Sequence, residues 1–190
     1  MNIMKHFLHT NVQFVAIALV ASICSLSCQR EDFTPKKQFV QFSYGFYQGP
    51  NSITQGFIYR NAARGTGIDS IEVMNVGPAF TRDIKIYFDV VDMVYYNINT
   101  NVTLTIPPAD EAPFNIFSTT ATQGSDYSLE NNSGYMVMKA GRNLGYIYIN
   151  RLAIPSSAKD VWLLLKDGED VKVNGKNGAN GTLFRYRIAN

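Results

Sequence analysis

The chain carries two histidines, His6 and His9, and two cysteines, Cys24 and Cys28, and all four lie in its first 28 residues. Beyond Cys28 there is no imidazole and no thiol. Ser-His-Asp and Cys-His nucleophilic catalysis therefore have no residues to run on there. Zinc sites built on His or Cys are excluded on the same ground, and no disulfide can close within that part of the chain. Carboxylates, lysines, tyrosines and hydroxyls remain. Glycoside hydrolysis needs two acids at a set separation, and the local candidates are Asp89 with Asp92 and Asp110 with Glu111. Nothing else in the sequence supports hydrolysis, so a non-catalytic protein is expected. Hard cations want oxygen ligands, which Asp126 and the turn Asp167-Gly168-Glu169-Asp170 offer. These acids form no dense cluster, and neither a metal nor another cofactor is expected. Aromatic rings beside turn residues can stack on sugar rings; Phe46, Tyr47, Tyr95 and Tyr96 have that setting, with Asn and Gln close by. They are the candidate ligand-binding residues.

The segment ahead of Cys28 reads as an address. Residues 1–27 show the three parts of an export signal: a short start with Lys5, an apolar run from Val12 through Val20 to Ile23, and Ser25-Leu26-Ser27 before the cysteine. The apolar run falls short of the roughly 20 residues that a membrane-spanning helix needs. Removal is therefore expected rather than permanent insertion. Ser25-Leu26-Ser27-Cys28 resembles the lipobox of bacterial lipoproteins. With Ser25 where Leu is usual and Leu26 one place later, it is similar to the loose form found in the Bacteroidetes. Cys24 suits the role less, because Ile23 before it is too large for the small-residue position. The resemblance implies that Cys28 becomes the acylated first residue of the mature chain. Two or three acyl chains hold far more firmly than one, at about 0.8 kcal/mol per buried methylene. Gln29-Arg30-Glu31-Asp32 in turn resembles the acidic signal that sends some of these lipoproteins to the outer face of the outer membrane. Residues 28–37 would then form a flexible tether, with Pro35 discouraging helix. A membrane partner through the lipid anchor, outside the cell, is the location implied.

The part beyond the tether, residues 38–190, is long enough for one domain with a real core. Lys5 is one of 17 basic residues, so without it the charge nearly balances the 15 acidic residues. No long basic run occurs, which argues against a nucleic-acid partner. Short strands follow one another. Phe39 to Tyr44 places Val40, Phe42 and Tyr44 on one face, and Gly56 to Arg60 is a second strand. Asp69 to Val76 turns Ile71, Val73 and Asn75 to one side. Arg82 to Val91 alternates most cleanly, with Ile84, Ile86, Phe88 and Val90 inward and Lys85, Tyr87 and Asp89 outward. Asn101 to Ile106 alternates as well. Leu144 to Ile149 and Val161 to Leu165 look apolar on both faces, as central strands would be. Trp162 reads as core. Phe184, Tyr186 and Ile188 would face inward on a last strand. Strands of this length between frequent turns predict an all-β sandwich.

Ala121-Thr122-Gln123-Gly124-Ser125-Asp126-Tyr127, then a strand from Gly134 to Lys139, Ala140-Gly141 and two more strands, resembles the A-x-x-G-x-D-Y pattern of Calx-beta-like sandwiches. It is also similar to the C-terminal half of small Bacteroidetes lipoproteins of unknown function. The resemblance implies a single immunoglobulin-like, antiparallel β-sandwich over 38–190, with calcium-binding carboxylates at one end in some members. It and the implied location suggest a glycan-binding or accessory module of a polysaccharide-uptake system. The alternative is a structural or adhesive module that meets an outer-membrane protein partner through a sheet edge. Asp69-Ser70-Ile71 also fits a short O-glycosylation acceptor pattern of that phylum.

Overall fold

The computed structural model describes residues 38–43, 57–97, 102–105, 114–131, 134–173 and 181–190. The chain separates into two compact units, 1–34 and 35–190, and every described residue lies in the second. Residues 1–27, Cys28, the tether, Phe46, Tyr47, Asp110 and Glu111 lie outside the described residues. All regular structure described is strand. Among the described residues no helix is long and apolar enough to cross a membrane.

Strands are numbered along the chain. One five-stranded sheet runs in the order β12 (Lys172–Val173), β1 (Phe39–Phe42), β3 (Gly67–Val76), β10 (Leu144–Arg151), β8 (Tyr127–Leu129). A second runs β2 (Ile58–Asn61), β13 (Leu183–Ile188), β11 (Lys159–Lys166), β4 (Ile84–Val90), β9 (Tyr135–Met138). Their inner faces meet in one core. Val40, Phe42, Ile71, Val73, Ile147 and Ile149 come from the first sheet, and Ile86, Phe88, Leu163, Phe184 and Tyr186 from the second. Strict alternation makes this possible, since period-two side chains send one set inward and the other to solvent. In β4 the inward set is Ile84, Ile86 and Phe88, and Lys85, Tyr87 and Asp89 are exposed, as expected. Asn75 is buried with Ile71 and Val73, and its amide Nδ2 donates to the Pro78 carbonyl (2.8 Å) and to Asn143 Oδ1 (3.1 Å).

The all-β sandwich is as expected, and three of its details differ from the expected strand readings. First, a third sheet, β6 (Val102–Leu104), β5 (Met93–Asn97), β7 (Phe114–Ser118), packs on the outer face of the second one. Trp162 joins them. It is fully buried, as core, but in a separate cluster with Phe57, Val94 and Leu183 and the partly buried Phe117. Second, two edge pairings are parallel: Phe39 with Lys172 and Val40 with Val173, and Phe184 to Arg187 with Ile58 to Asn61. The stretch after the Asp167–Asp170 turn is thus an edge strand. Third, β10 is not apolar on both faces. Its inner face carries Gly145, Ile147, Ile149 and Arg151, while Leu144, Tyr146 and Tyr148 point outward and are exposed. At Gly145 the Met136 methyl sits 2.1 Å from where a Cβ would stand, so glycine lets β9 and β10 close together.

Candidate functional site

Tyr95 and Tyr96 are not loop aromatics. They are consecutive residues of β5, hydrogen-bonded between β6 and β7, and are 8% and 5% exposed. Tyrosine is a strong strand former, and a central strand supplies neighbours to both its faces. Neither ring is open for stacking on a sugar, and this site reading is corrected.

The acidic residues are also committed elsewhere. Asp89 pairs with Lys166 at 2.8 Å on the surface. Asp167 accepts the Val173 N–H (3.0 Å), and Asp170 pairs with Arg82. Among the described residues no three His, Cys, Asp or Glu gather as a metal site. Asp126 does what its turn predicts. Gly124, at φ 85°, makes the bend, and Asp126 Oδ2 accepts the Thr122 N–H at 2.7 Å. Both of its oxygens also take the Lys159 ammonium, at 2.8 and 2.7 Å. This carboxylate clamps a turn to β11. Ser70 lies mid-strand in β3, half-buried, so the acceptor pattern around it sits inside a sheet.

The Lys159 ammonium, and then the Thr122 N–H, hold the Asp126 carboxyl below its ordinary value of 3.8. A lowered folded pKa means that folding favours the ionised form. The stabilisation is complete above the ordinary value and is lost as the pH falls below it. Asp126→Asn should therefore flatten the acid limb of the stability profile. Urea midpoints taken from about pH 6 down to about pH 2 test this, and a variant as acid-sensitive as the parent would refute it.

The open site lies elsewhere, in a groove of about 690 Å³ lined by Tyr146, Tyr148, Val137, Asn131, Lys139 and residues 141–145. Its size suits a small-molecule or oligosaccharide ligand. Tyr146 and Tyr148 stand two residues apart on the outer face of β10, their ring centroids 6.2 Å apart and their planes 36° from parallel. Both are more than one-third exposed. From Leu144 to Tyr148 the strand runs about 13 Å. The turn at one end is firmly held. Asp83 accepts the Ala140 N–H (3.0 Å) and the Lys139 ammonium (2.7 Å), and the Gly141 N–H donates to the Phe80 carbonyl (2.8 Å). Those contacts, the ammonium first, hold the Asp83 carboxyl below its ordinary value. Asn143 Oδ1 is engaged by Asn75, which leaves its Nδ2 as a donor. At the other end Asn131 Oδ1 is shielded from solvent and has no hydrogen-bond partner among the described residues.

One side of the groove is an open strand edge. The Asn75 N–H donates to the Asn143 carbonyl (2.8 Å). In an antiparallel ladder, alternate residues of β10 then bond to β3, and Leu144, Tyr146 and Tyr148 direct their backbone groups away from it. The Tyr148 carbonyl accepts the Glu130 N–H (3.2 Å), but β8 pairs only with Ile149 to Arg151. Leu144 and Tyr146 have no strand beyond them among the described residues. The signal for this site was present in the sequence: tyrosines at 146 and 148 alternate with core residues Ile147 and Ile149, which puts aromatics on the solvent side.

No family model matches the chain, and no curated protein does. Among solved structures it is similar to the apo form of the Calx CBD1 domain, with a TM-score of 0.44 and 12% identity over 81% of this chain and 97% of that one. It is also similar to WR4, a C. elegans MSP family member, with a TM-score of 0.33 and 11% identity over 70% of this chain and 92% of that one. The all-β sandwich is read from the chain's own sheets, and the groove from its own residues.

Proposed function

We propose that this is a non-catalytic lipoprotein, anchored through Cys28 on the outer face of a bacterial outer membrane, that holds a glycan in the groove along β10. It would serve a polysaccharide-uptake system as a binding module. The observation that carries this reading is the pair Tyr146 and Tyr148. Two half-open rings in file, flanked by the amides of Asn131 and Asn143, combine apolar faces for sugar C–H surfaces with polar groups for hydroxyls. Full-length protein extracted from membranes should show an acylated Cys28 at its mature N-terminus by mass spectrometry. The same preparation should bind members of a glycan array, and Tyr146→Ala with Tyr148→Ala should weaken that binding by about tenfold or more, the scale of about 1.4 kcal/mol. A free Cys28 thiol would remove the anchor, and array binding that survives the loss of both rings would remove the site.

The open edge at Leu144 and Tyr146 supports a second reading. An extended segment of a protein partner could add to β10 by backbone pairing. Such pairing depends little on the two rings, so a surface partner crosslinked equally to the parent and to the double variant on intact cells would favour it over the glycan.

A further inference from the structure

We infer that the groove is built for an acidic glycan, one bearing carboxylate or sulfate groups, seated with its charge at the Arg142–Asn143 end. This rests on the glycan reading above and refines it. The lining contains two cations, Lys139 and Arg142, and no carboxylate. The two cations differ in what is left to them. Lys139 is already paired with Asp83 at 2.7 Å. Arg142 is exposed and has no acidic partner among the described residues, so its charge and its forked donors remain for a ligand. Asn143 adds a donor beside it, since its oxygen is taken by Asn75. Donors thus converge at one end of the groove. Asn131 Oδ1 at the other end, without a partner among the described residues, is an acceptor and suits a sugar hydroxyl.

Charge also bears on where along the groove a ligand's acid groups lie. Glu72 stands opposite Tyr146 across the β3–β10 ladder, and the exposed Glu130 stands beside Tyr148 on the β8 side. Acid groups are repelled from the tyrosine stretch and drawn to the Arg142 end, so charge and rings together select one orientation. A neutral sugar would meet no such distinction.

The test is titration calorimetry with the full-length lipoprotein in detergent. The probes are an oligogalacturonate, a chondroitin sulfate fragment, and a neutral xylo-oligosaccharide of matched length. The acidic saccharides should bind about tenfold or more tighter than the neutral one, with an affinity that falls as salt rises. The oligogalacturonate and sulfated arms show which acid group is preferred. Arg142→Gln, an exposed change that keeps a donor but removes the charge, should bring acidic affinity down towards the neutral level and abolish its salt dependence. Equal binding of neutral and acidic saccharides, or a preference that persists in Arg142→Gln, overturns the acidic assignment and leaves glycan binding standing. Failure of all three probes to bind, in a protein shown folded by circular dichroism, overturns the glycan reading itself and this inference with it.

Discussion

Replacing Asp69 by alanine is expected to destabilise the domain by about 3–5 kcal/mol, the usual cost of stranding buried charge. By its register opposite Ile149, Asp69 faces the interior between the sheets at one end of the sandwich. It pairs there with Arg60 (3.5 Å) from β2 and Arg151 (3.4 Å) from β10, and it accepts the Tyr186 hydroxyl from β13. Four strands from two sheets thus meet on one carboxylate. Arg151 is only 6% exposed, and its Nη1 donates to the carbonyls of Ala63 and Gly65. Burial first, and then the bond to Asp69, push the Tyr186 hydroxyl well above the ordinary tyrosine range, so it remains a donor throughout the working pH range. Without Asp69 two guanidinium groups share a poorly hydrated space. Asp69→Asn should cost nearly as much, because it keeps the shape but not the charge. Asp89→Ala is the control. Its pair with Lys166 is shorter, at 2.8 Å, yet both side chains are about half exposed, and the cost should stay within about 1 kcal/mol. Urea denaturation with an unchanged slope measures both. Similar losses for Asp69 and Asp89 would refute the assignment of a desolvated hub.

The second large effect falls on the third sheet. Trp162→Ala is expected to cost about 3–5 kcal/mol, the range for truncating a large buried aromatic. Trp162 is fully buried, edge-on to Phe57 at 4.8 Å, near Phe117 at 5.7 Å, with the Arg185 guanidinium 5.5 Å from its ring. Its backbone is tied in as well. The carbonyl accepts the Val91 N–H (2.9 Å), and its N–H donates to Thr119 Oγ1 (3.1 Å). The side chain is what the small sheet rests on, so its loss should also loosen that sheet locally. Amide hydrogen exchange in β5 and β7 should quicken more than in β3 or β10. Trp162→Phe, which keeps a ring, should lose less. An even rise in exchange across all three sheets would show that the small sheet is not a separately held layer.

The core was legible because β4, β13 and β3 alternate without interruption, and period-two patterning needs no knowledge of partners. Asn75 could be placed inward on the same ground, although the pattern does not name Pro78 or Asn143 as its partners. β12 is two residues long and exists only because β1 lies beside it, and β7 follows a proline-rich stretch of sequence and is fixed by pairing with the distant β5. Such strands are made by tertiary contacts rather than by local preference. The aromatics show the same limit from the other side. Tyr95, Tyr96, Tyr146 and Tyr148 all favour strand, and only the layer stacked around each strand decides which rings are covered. The candidate groove therefore lies on a different sheet from Tyr95 and Tyr96. The absence of His and Cys beyond Cys28 needed no structure at all.

The two parallel edge pairs bear on how the domain can form. β1 and β2, the first strands of the described chain, are paired by the last ones: β12 lies on the outer side of β1, and β13 is the strand that the edge strand β2 pairs with. A chain delivered N-terminus first thus emerges with β1 open on its outer side and β2 without a strand partner among the described residues, and both wait for the final segment. Contacts between opposite ends of a chain make closure slow and late, because loop entropy is spent before the pairing is gained. The fold is accordingly completed only when its last strands are present.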